Sequence, residues 1–395
     1  MAGHKRQPIE EPQLQGFKYF KRVNSLLEPL HRAACSRDRA HNRLLHMDQY
    51  MLLLLLYMFN PICVSLRALQ QASTLKKVQR MLGLPRSSLG SLSEAARVFD
   101  SSLLTEIIGQ LAAELKPMAH DRRLEDVGAI LTVVDGTLLP AMSKMTWALW
   151  KQDHNALKAH VQFELLTGVP VDARITEGNG DERDVLVENL QGGRLYVLDR
   201  GYAKYSLFRK ILDASSSFVC RIRDNSVFDA VEERGLSDEA LRAGIVRDVV
   251  VRLGGQQKAN GLAQPVRIVQ ISCTPHIKRY KIGRGGPEQG DTILIATDRL
   301  DLPPEVVSLI YQHRWAVEIF FRTFKHLLGC RHLLSTCENG IELQTYAAIL
   351  ACLLIAMYTG RRPTLRTYEM LCYYFMGWAD QEEMNIHIAR LQKQA

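Results

Sequence analysis

No CxxC pair occurs among the eight cysteines, which are scattered at Cys35, Cys63, Cys220, Cys273, Cys330, Cys337, Cys352 and Cys372. Structural zinc sites draw on closely spaced thiolate pairs, so this lack argues against one. The scatter suits reduced, mostly buried thiols, and a cytoplasmic location is expected. The first residues, MAGHKRQPIEEP, lack the apolar stretch of a secretory signal. No apolar run reaches the roughly 20 residues that a bilayer span needs. The two best candidates, residues 51–59 and 347–357, stop short, the first at Asn60-Pro61. Both read as core helices, and no membrane partner is expected. Internal repeats and low-complexity tracts are also missing.

What is present is a 395-residue chain with 47% hydrophobic and 23% charged residues, the balance of a globular protein with two or three domains. The net charge of +8 favours a polyanionic partner. Its distribution says more than its sum. Residues 1–110 hold 15 Lys or Arg against 8 Asp or Glu, and the rest is close to neutral. That asymmetry fits a basic binding segment ahead of a catalytic body, although a solvated basic surface would produce the same count.

Residues 14–115 carry apolar positions at helical spacing, as in Leu26, Leu27 and Leu30. Gly83, Pro85 and Ser87-Ser88 punctuate the stretch, and Ser93 and Asp100 are candidate N-caps. From residue 128 the period changes. The run Ala129-Ile130-Leu131-Thr132-Val133-Val134 predicts a strand ending at Asp135-Gly136. Alternating runs at 160–166 and 170–176, with Gly-rich turns between them, predict an antiparallel meander. A helix over 181–190 follows, then a strand over 194–198 ending at Asp199, a helix over 203–212 and a strand over 218–222. Strand-like runs at 245–253, 266–272 and 292–296, with turns such as Gly254-Gly255 and 283–286, predict a β-rich insertion. After Pro303-Pro304 the chain reads as helical to its end.

The chemistry gathers at three places. Asp135 and Asp199 each follow a hydrophobic strand; if the strands are parallel neighbours, both carboxylates emerge at one sheet edge, where catalytic groups commonly collect. Either aspartate alone reads equally as a turn residue. The third place is the segment 311–325, YQHRWAVEIFFRTFK. At about 100° per residue, Tyr311, Arg314, Glu318 and Lys325 fall within roughly 60° of one another on a helix. The other directions are mostly apolar, so the polar seam of a buried helix needs partners. An Arg314–Glu318 pair at (i, i+4) would supply one; metal ligation would supply another. Three carboxylates meeting at one point suit two Mg²⁺ ions, which take oxygen ligands and can hold both oxygens of a phosphoryl transfer. Lys325, on the order of 10 Å along the axis from Glu318, would then face a second phosphate.

These residues resemble the DDE transposases of the insertion-sequence-four family. The segment 311–325 fits that family's Y-x2-R-x3-E-x6-K signature at every spacing, and Val134-Asp135-Gly136-Thr137 and Leu198-Asp199-Arg200-Gly201-Tyr202 resemble its two aspartate regions. The resemblance covers residues 133–325. It implies an α/β fold: a ribonuclease-H-like mixed sheet core with a β-rich insertion, beside an all-helical N-terminal domain and a helical C-terminus. The expected division is a basic helical DNA-binding domain at 1–115, the core at 125–223 and 301–340, the insertion at 224–300 and a helical region at 341–395. It also implies that Asp135, Asp199 and Glu318 are catalytic residues holding two Mg²⁺ ions, with Mn²⁺ a possible substitute. Tyr311, Arg314, Lys325 and Arg200 would bind DNA, with His160 a further neighbour of the site. The expected partners are double-stranded DNA, both the element's terminal inverted repeats and the target, and a second copy of the chain in a homodimer on DNA. Some relatives form a DNA hairpin and stack a flipped base on a tryptophan of the insertion. This chain has no Trp between Lys151 and Arg314, leaving Trp315 or Tyr280 as aromatic candidates. An inactive DNA-binding copy and a metal-dependent nuclease that does not join DNA are the alternatives.

Overall fold

A computed structural model of the chain describes residues 25–31, 44–118, 121–141, 145, 147–151, 154–254, 262, 264–272, 291–327 and 333–393. Nine of the 15 basic residues in 1–110 lie outside the described residues, as do Cys35, Cys273, Cys330, Tyr280 and the turn at 283–286.

Among the described residues, a helical stretch at 25–31 is followed by the helices α1 (Met47–Phe59), α2 (Leu66–Ala72), α3 (Lys76–Leu82), α4 (Leu89–Val98) and α5 (Leu104–Glu114). Their boundaries follow local chemistry. Gly83, at φ 63°, closes α3 in the left-handed conformation that glycine adopts without penalty. Ser88, not Ser93, caps α4, its hydroxyl accepting from the Ser91 N–H; Ser93 lies inside the helix. Asp100 caps the short 3₁₀ turn Ser101–Leu103. α1 is buried along nearly its whole length.

Ten strands among the described residues form one sheet. They are β1 (Ile130–Pro140), β2 (Leu149–Lys151), β3 (His154–Glu164), β4 (Val169–Glu177), β5 (Arg194–Leu198), β6 (Ser217–Ile222), β7 (Phe228–Glu233), β8 (Ile245–Leu253), β9 (Val266–Ser272) and β10 (Thr292–Thr297). The path runs β2-β3-β1-β5-β6-β10-β9-β8-β7, and β4 pairs with β3. β1, β3 and β4 form the expected antiparallel meander. β5 then pairs parallel with β1, and β6 parallel with β5, through the helices α6 (Glu182–Glu188) and α7 (Tyr205–Asp213). The strands of the β-rich segment prolong this sheet, because β10 pairs antiparallel with β6 and continues through β9 to β7. A short helix, α8 (Asp238–Arg242), lies between β7 and β8.

Side-chain alternation divides the sheet into two faces. Tyr196 and Leu198 of β5 join the cluster with Phe208 of α7, while Leu195 and Val197 join the larger core on the other face. That larger core is completed by α9 (Pro304–Gln312), α10 (Trp315–Leu327) and α11 (Glu338–Thr359). The helices α12 (Leu365–Met376) and α13 (Gln381–Lys393) follow. α11 is 22 residues, longer than its apolar run foretold, and by length and composition it could cross a membrane. Of its most apolar window 89% is buried inside the protein, so it is a core helix that packs on β4 and α1. Asn339 at its start donates to the Ala96 and Phe99 carbonyls, and Tyr368 of α12 donates to the Met58 carbonyl, tying α11 and α12 to the earlier helices.

One ion pair is fully buried. Arg267 of β9 and Asp248 of β8 are each 2% exposed and meet through two hydrogen bonds, at 2.7 and 2.6 Å, while Arg267 also donates to the Leu302 carbonyl. Removing one member strands the other charge in a dry interior. Asp248→Ala is therefore expected to destabilise the fold by about 3–5 kcal/mol, read by chemical denaturation followed by circular dichroism. A loss under about 1 kcal/mol would mean that water reaches the Arg267 guanidinium.

Candidate active site

Asp135 and Asp199 reach the same end of the sheet by different routes. Asp199 directly follows β5 and caps the 3₁₀ turn Arg200–Tyr202, its Oδ1 accepting from the Gly201 N–H at 2.7 Å. Asp135 does not end its strand, as its Asp-Gly pair suggested. β1 runs on to Pro140 because β3 pairs with it as far as Ala156. Only the parallel pairing stops, at Val133–Val197, two residues before each aspartate. The two residues therefore lie level, Asp135 within β1 and Asp199 just past the end of β5. By alternation with Val133 and Val197, both face the side covered by α10.

The third acidic residue arrives on α10, and here the sequence reading needs correction. The stretch 311–325 is not one helix. α9 ends at Gln312 and α10 starts at Trp315, with a tightened turn at His313-Arg314 held by short-range bonds such as Ala316 N–H to the His313 carbonyl. Tyr311 thus sits on the preceding helix, and Arg314 in the joint. α10 is not buried all round either: Trp315 is 45% and Ile319 62% exposed.

Arg314 organises the cluster. Its Nη2 donates to Glu318 Oε1 at 2.8 Å, and its Nη1 lies 3.7 Å from Asp135 Oδ2. Its side chain is 12% exposed, its Nε has no hydrogen-bond partner, and its guanidinium lies 5.6 Å from the Trp315 ring centroid. Burial works against this charge, but Tyr311, Glu318 and Asp135 more than offset it and hold the guanidinium protonated. Burial pushes the Asp135 carboxyl up to about 6, and the negative charges of Asp199 and Glu182 add to that rise. The Gly136 N–H, 2.8 Å from Asp135 Oδ1, and Arg314 pull the other way. Tyr311 has its hydroxyl raised by burial, partly offset by Arg314 and Arg221.

The remaining candidates divide. Arg200 is exposed and, with Asp199, Gly201, Arg223, Asp224 and Asn225, lines a cavity of about 710 Å³ where β5 and β6 end. Arg223 was not foreseen from the sequence; it stands one residue past a strand end, the feature that singled out Asp199. Neither arginine side chain has an ion-pair partner among the described residues. Lys325 is half-buried, two turns beyond Glu318, and also without an ion pair among the described residues. His160 does not join the group. It pairs with Gly136 across β1 and β3, so it points to the opposite face from Asp135, where its Nε2 lies 2.8 Å from Thr176 Oγ1. Burial lowers its pKa to about 4, leaving a neutral ring. Glu182, another acidic neighbour missed by the sequence reading, lies on that same far face.

The donor types suit a hard divalent cation, since all are carboxylate oxygens and a cationic group, Arg314, already stands between two of them. Their positions are not convergent as they stand: among the described residues, no three His, Cys, Asp or Glu side chains are grouped to hold one ion. The physical reason is visible in the Arg314–Glu318 pair, which turns the glutamate to the guanidinium.

A sequence model described as the transposase DDE domain matches residues 128–354, more than half of the chain and all three acidic residues. The chain belongs to the DDE transposase family. Among its relatives is y4zB of Sinorhizobium fredii, a protein named for transposase activity, 27% identical over 253 residues. That match spans 63% of this chain and 65% of the relative, just under two thirds of its length. A protein of Geobacillus stearothermophilus, named for the transposase of insertion sequence element IS5377, is 24% identical over 70% of this chain and 68% of its own. Among solved structures, a piggyBac transposase synaptic complex with hairpin DNA aligns at a TM-score of 0.41 and 13% identity, over 96% of this chain and 85% of that one.

The raised pKa of Asp135 carries a sign. Folding lifts it from the ordinary 3.8 to about 6, so between those values the folded chain binds more protons than the unfolded one. Stability therefore rises as pH falls from 7 to 4 through this group. Asp135→Asn removes the penalty and is expected to stabilise the metal-free protein at pH 8 by on the order of 2–3 kcal/mol, with the gain vanishing towards pH 4. Denaturation midpoints at the two pH values measure it; destabilisation at pH 8 would show that the Arg314 ion pair outweighs burial.

Proposed function

We propose that this DDE transposase binds the ends of its own insertion sequence, cuts them and joins them to target DNA. One arrangement carries the reading: Asp135 and Asp199 at matching positions on neighbouring parallel strands, with Glu318 linked to Asp135 through Arg314. The meander followed by two parallel strands supports a ribonuclease-H-like core at 125–223 and 301–340. We further assign 224–300 as an insertion, 1–115 as a basic DNA-binding domain and 341–395 as a helical C-terminal region.

In this reading Asp135, Asp199 and Glu318 hold two Mg²⁺ ions, or Mn²⁺ in their place. Such ions, when bound, neutralise the charge that builds on a reacting phosphate and favour deprotonation of an attacking hydroxyl. The chain's own residues do the rest. Arg314 gives up Glu318 and pairs with a DNA phosphate, exchanging one anion for another at little cost. Arg200 and Arg223, without an ion pair among the described residues, take backbone phosphates beside Asp199. Tyr311 and Lys325 hold the terminal strand on either side of Glu318. Water attacks the phosphorus at the element end as the P–O3′ bond breaks, leaving a 3′-hydroxyl on the element and a 5′-phosphate on the flanking strand. That hydroxyl attacks a target phosphate, one P–O bond forming as another breaks. Two ends must meet, so a homodimer on DNA follows, working in the cytoplasm.

Incubating the protein with oligonucleotides that carry the element ends, a target plasmid and Mg²⁺ tests this. Joined products are expected from the wild type, and none from Asp135→Asn or Glu318→Gln, with end binding retained within about threefold. Cutting without joining would reduce the activity to that of a nuclease; equal loss of binding and cutting would remove the ligand assignment. Lys325→Ala is expected to weaken end binding and to lower the slope of log affinity against log salt by about one. An unchanged slope would make Lys325 a packing residue.

A further inference from the structure

Behind Asp135, on the far side of β1, the Glu182 carboxylate lies against the backbone of Gly136. A Cβ built on Gly136 would stand 2.7 Å from Glu182 Oε1 and 3.0 Å from its Cδ. The carboxylate therefore fills the space that any other residue at 136 would need. It is held there: Lys158 Nζ pairs with Glu182 Oε1 at 2.8 Å and also donates to the Gly180 carbonyl at 3.3 Å. Both charged side chains are largely covered, at 19% and 27% exposure. Lys158 itself is fixed by register, facing Leu138 across β1 and β3. The neighbouring Asp181 is not available for this work, since it caps α6 and pairs with Arg183. The Tyr202 hydroxyl, on a side chain 1% exposed, also lies beside Glu182 and within the field of Asp135 and Asp199.

We infer that Glu182 is a positioning residue for Asp135, braced by Lys158. It presses on the Asp135-Gly136 backbone from the rear of the sheet and so sets where the Asp135 carboxylate stands on the front. Gly136 leaves open the space that the brace occupies, so a larger residue there must displace the Glu182 carboxylate. The inference rests on reading Asp135 as a cation ligand. Partners of metal ligands, though they do not touch the ion, commonly change affinity by about 10–100-fold when lost.

The test uses the full-length protein bound to an element-end oligonucleotide, so that a phosphate draws Arg314 from Glu318; free Mn²⁺ is read by electron paramagnetic resonance, and binding to the oligonucleotide alone is subtracted. Glu182→Ala is expected to weaken Mn²⁺ binding by about tenfold, with DNA-end affinity unchanged and the fold intact by circular dichroism. Glu182→Gln, which keeps the shape against Gly136 and still accepts from Lys158, should retain most of the affinity. Gly136→Ala forces the methyl into the carboxylate and should weaken binding at least as much. Gly136→Ala combined with Glu182→Ala restores room for that methyl and should bind better than Gly136→Ala alone. Wild-type Mn²⁺ affinity in Glu182→Ala, or no recovery in the double variant, overturns the brace. Unchanged Mn²⁺ binding in Asp135→Asn is a different failure: it removes the ligand role of Asp135 itself.

Discussion

The site depends on one buried cation. Arg314 lies between Asp135, which comes from the sheet, and Glu318, which comes from a helix packed over it. Without a positive charge there, burial and mutual repulsion would drive the carboxylates towards protonation, as the elevated Asp135 already shows. The guanidinium lets acidic groups from distant parts of the sequence approach across the interface between sheet and helix. It does so from a tightened joint between α9 and α10, so the path of the backbone and the charge pattern are one feature. In the proposed function, a metal centre built on the same oxygens competes with this arginine, and a DNA phosphate draws it away.

The rest of the architecture supplies rigidity around that point. Parallel pairing of β1 with β5 brings Asp135 and Asp199 level, and β3 supports β1 past the point where β5 leaves it. The face bearing Asp135 is closed by the large apolar core that includes α10 and α11. The opposite face is closed by α6 and α7, and there Glu182 meets Gly136. Beyond β6 the sheet continues through β10 to β7, anchored by the buried Arg267–Asp248 pair. At the open end between β5 and β6, Arg200 and Arg223 line a cavity beside Asp199.

Much of this was legible in the chain because its signals are local. The apolar run before Asp199 and the alternation from 160 to 176 specify strands by period alone, and they emerge in that order. Helix α4 shows the limit of such reasoning: Ser88 and Ser93 are equally good caps by residue type, and only the backbone path selects Ser88. The joint at His313-Arg314 contains neither proline nor glycine, so nothing in its residue types announces a break. Exposure of Trp315 and Ile319 was likewise hidden, since which side of an apolar helix is covered is decided by its neighbours. Gly136 read as a turn residue, whereas it lies within a strand and makes room for Glu182. That contact joins residues 46 positions apart, and no local pattern encodes it. The basic excess near the N-terminus falls mostly outside the described residues, so its role rests on composition.

In the proposed function, Asp135, Asp199 and Glu318 converge on the bound cations once Arg314 turns away. Substituting Fe²⁺ for Mg²⁺ on the DNA-bound protein, with ascorbate and peroxide, tests it directly, because the radicals formed cut the polypeptide beside the ion. Cuts near residues 135, 199 and 318 together, suppressed by excess Mg²⁺, are the predicted result. Cuts confined to one of the three, or placed elsewhere in the chain, would contradict it.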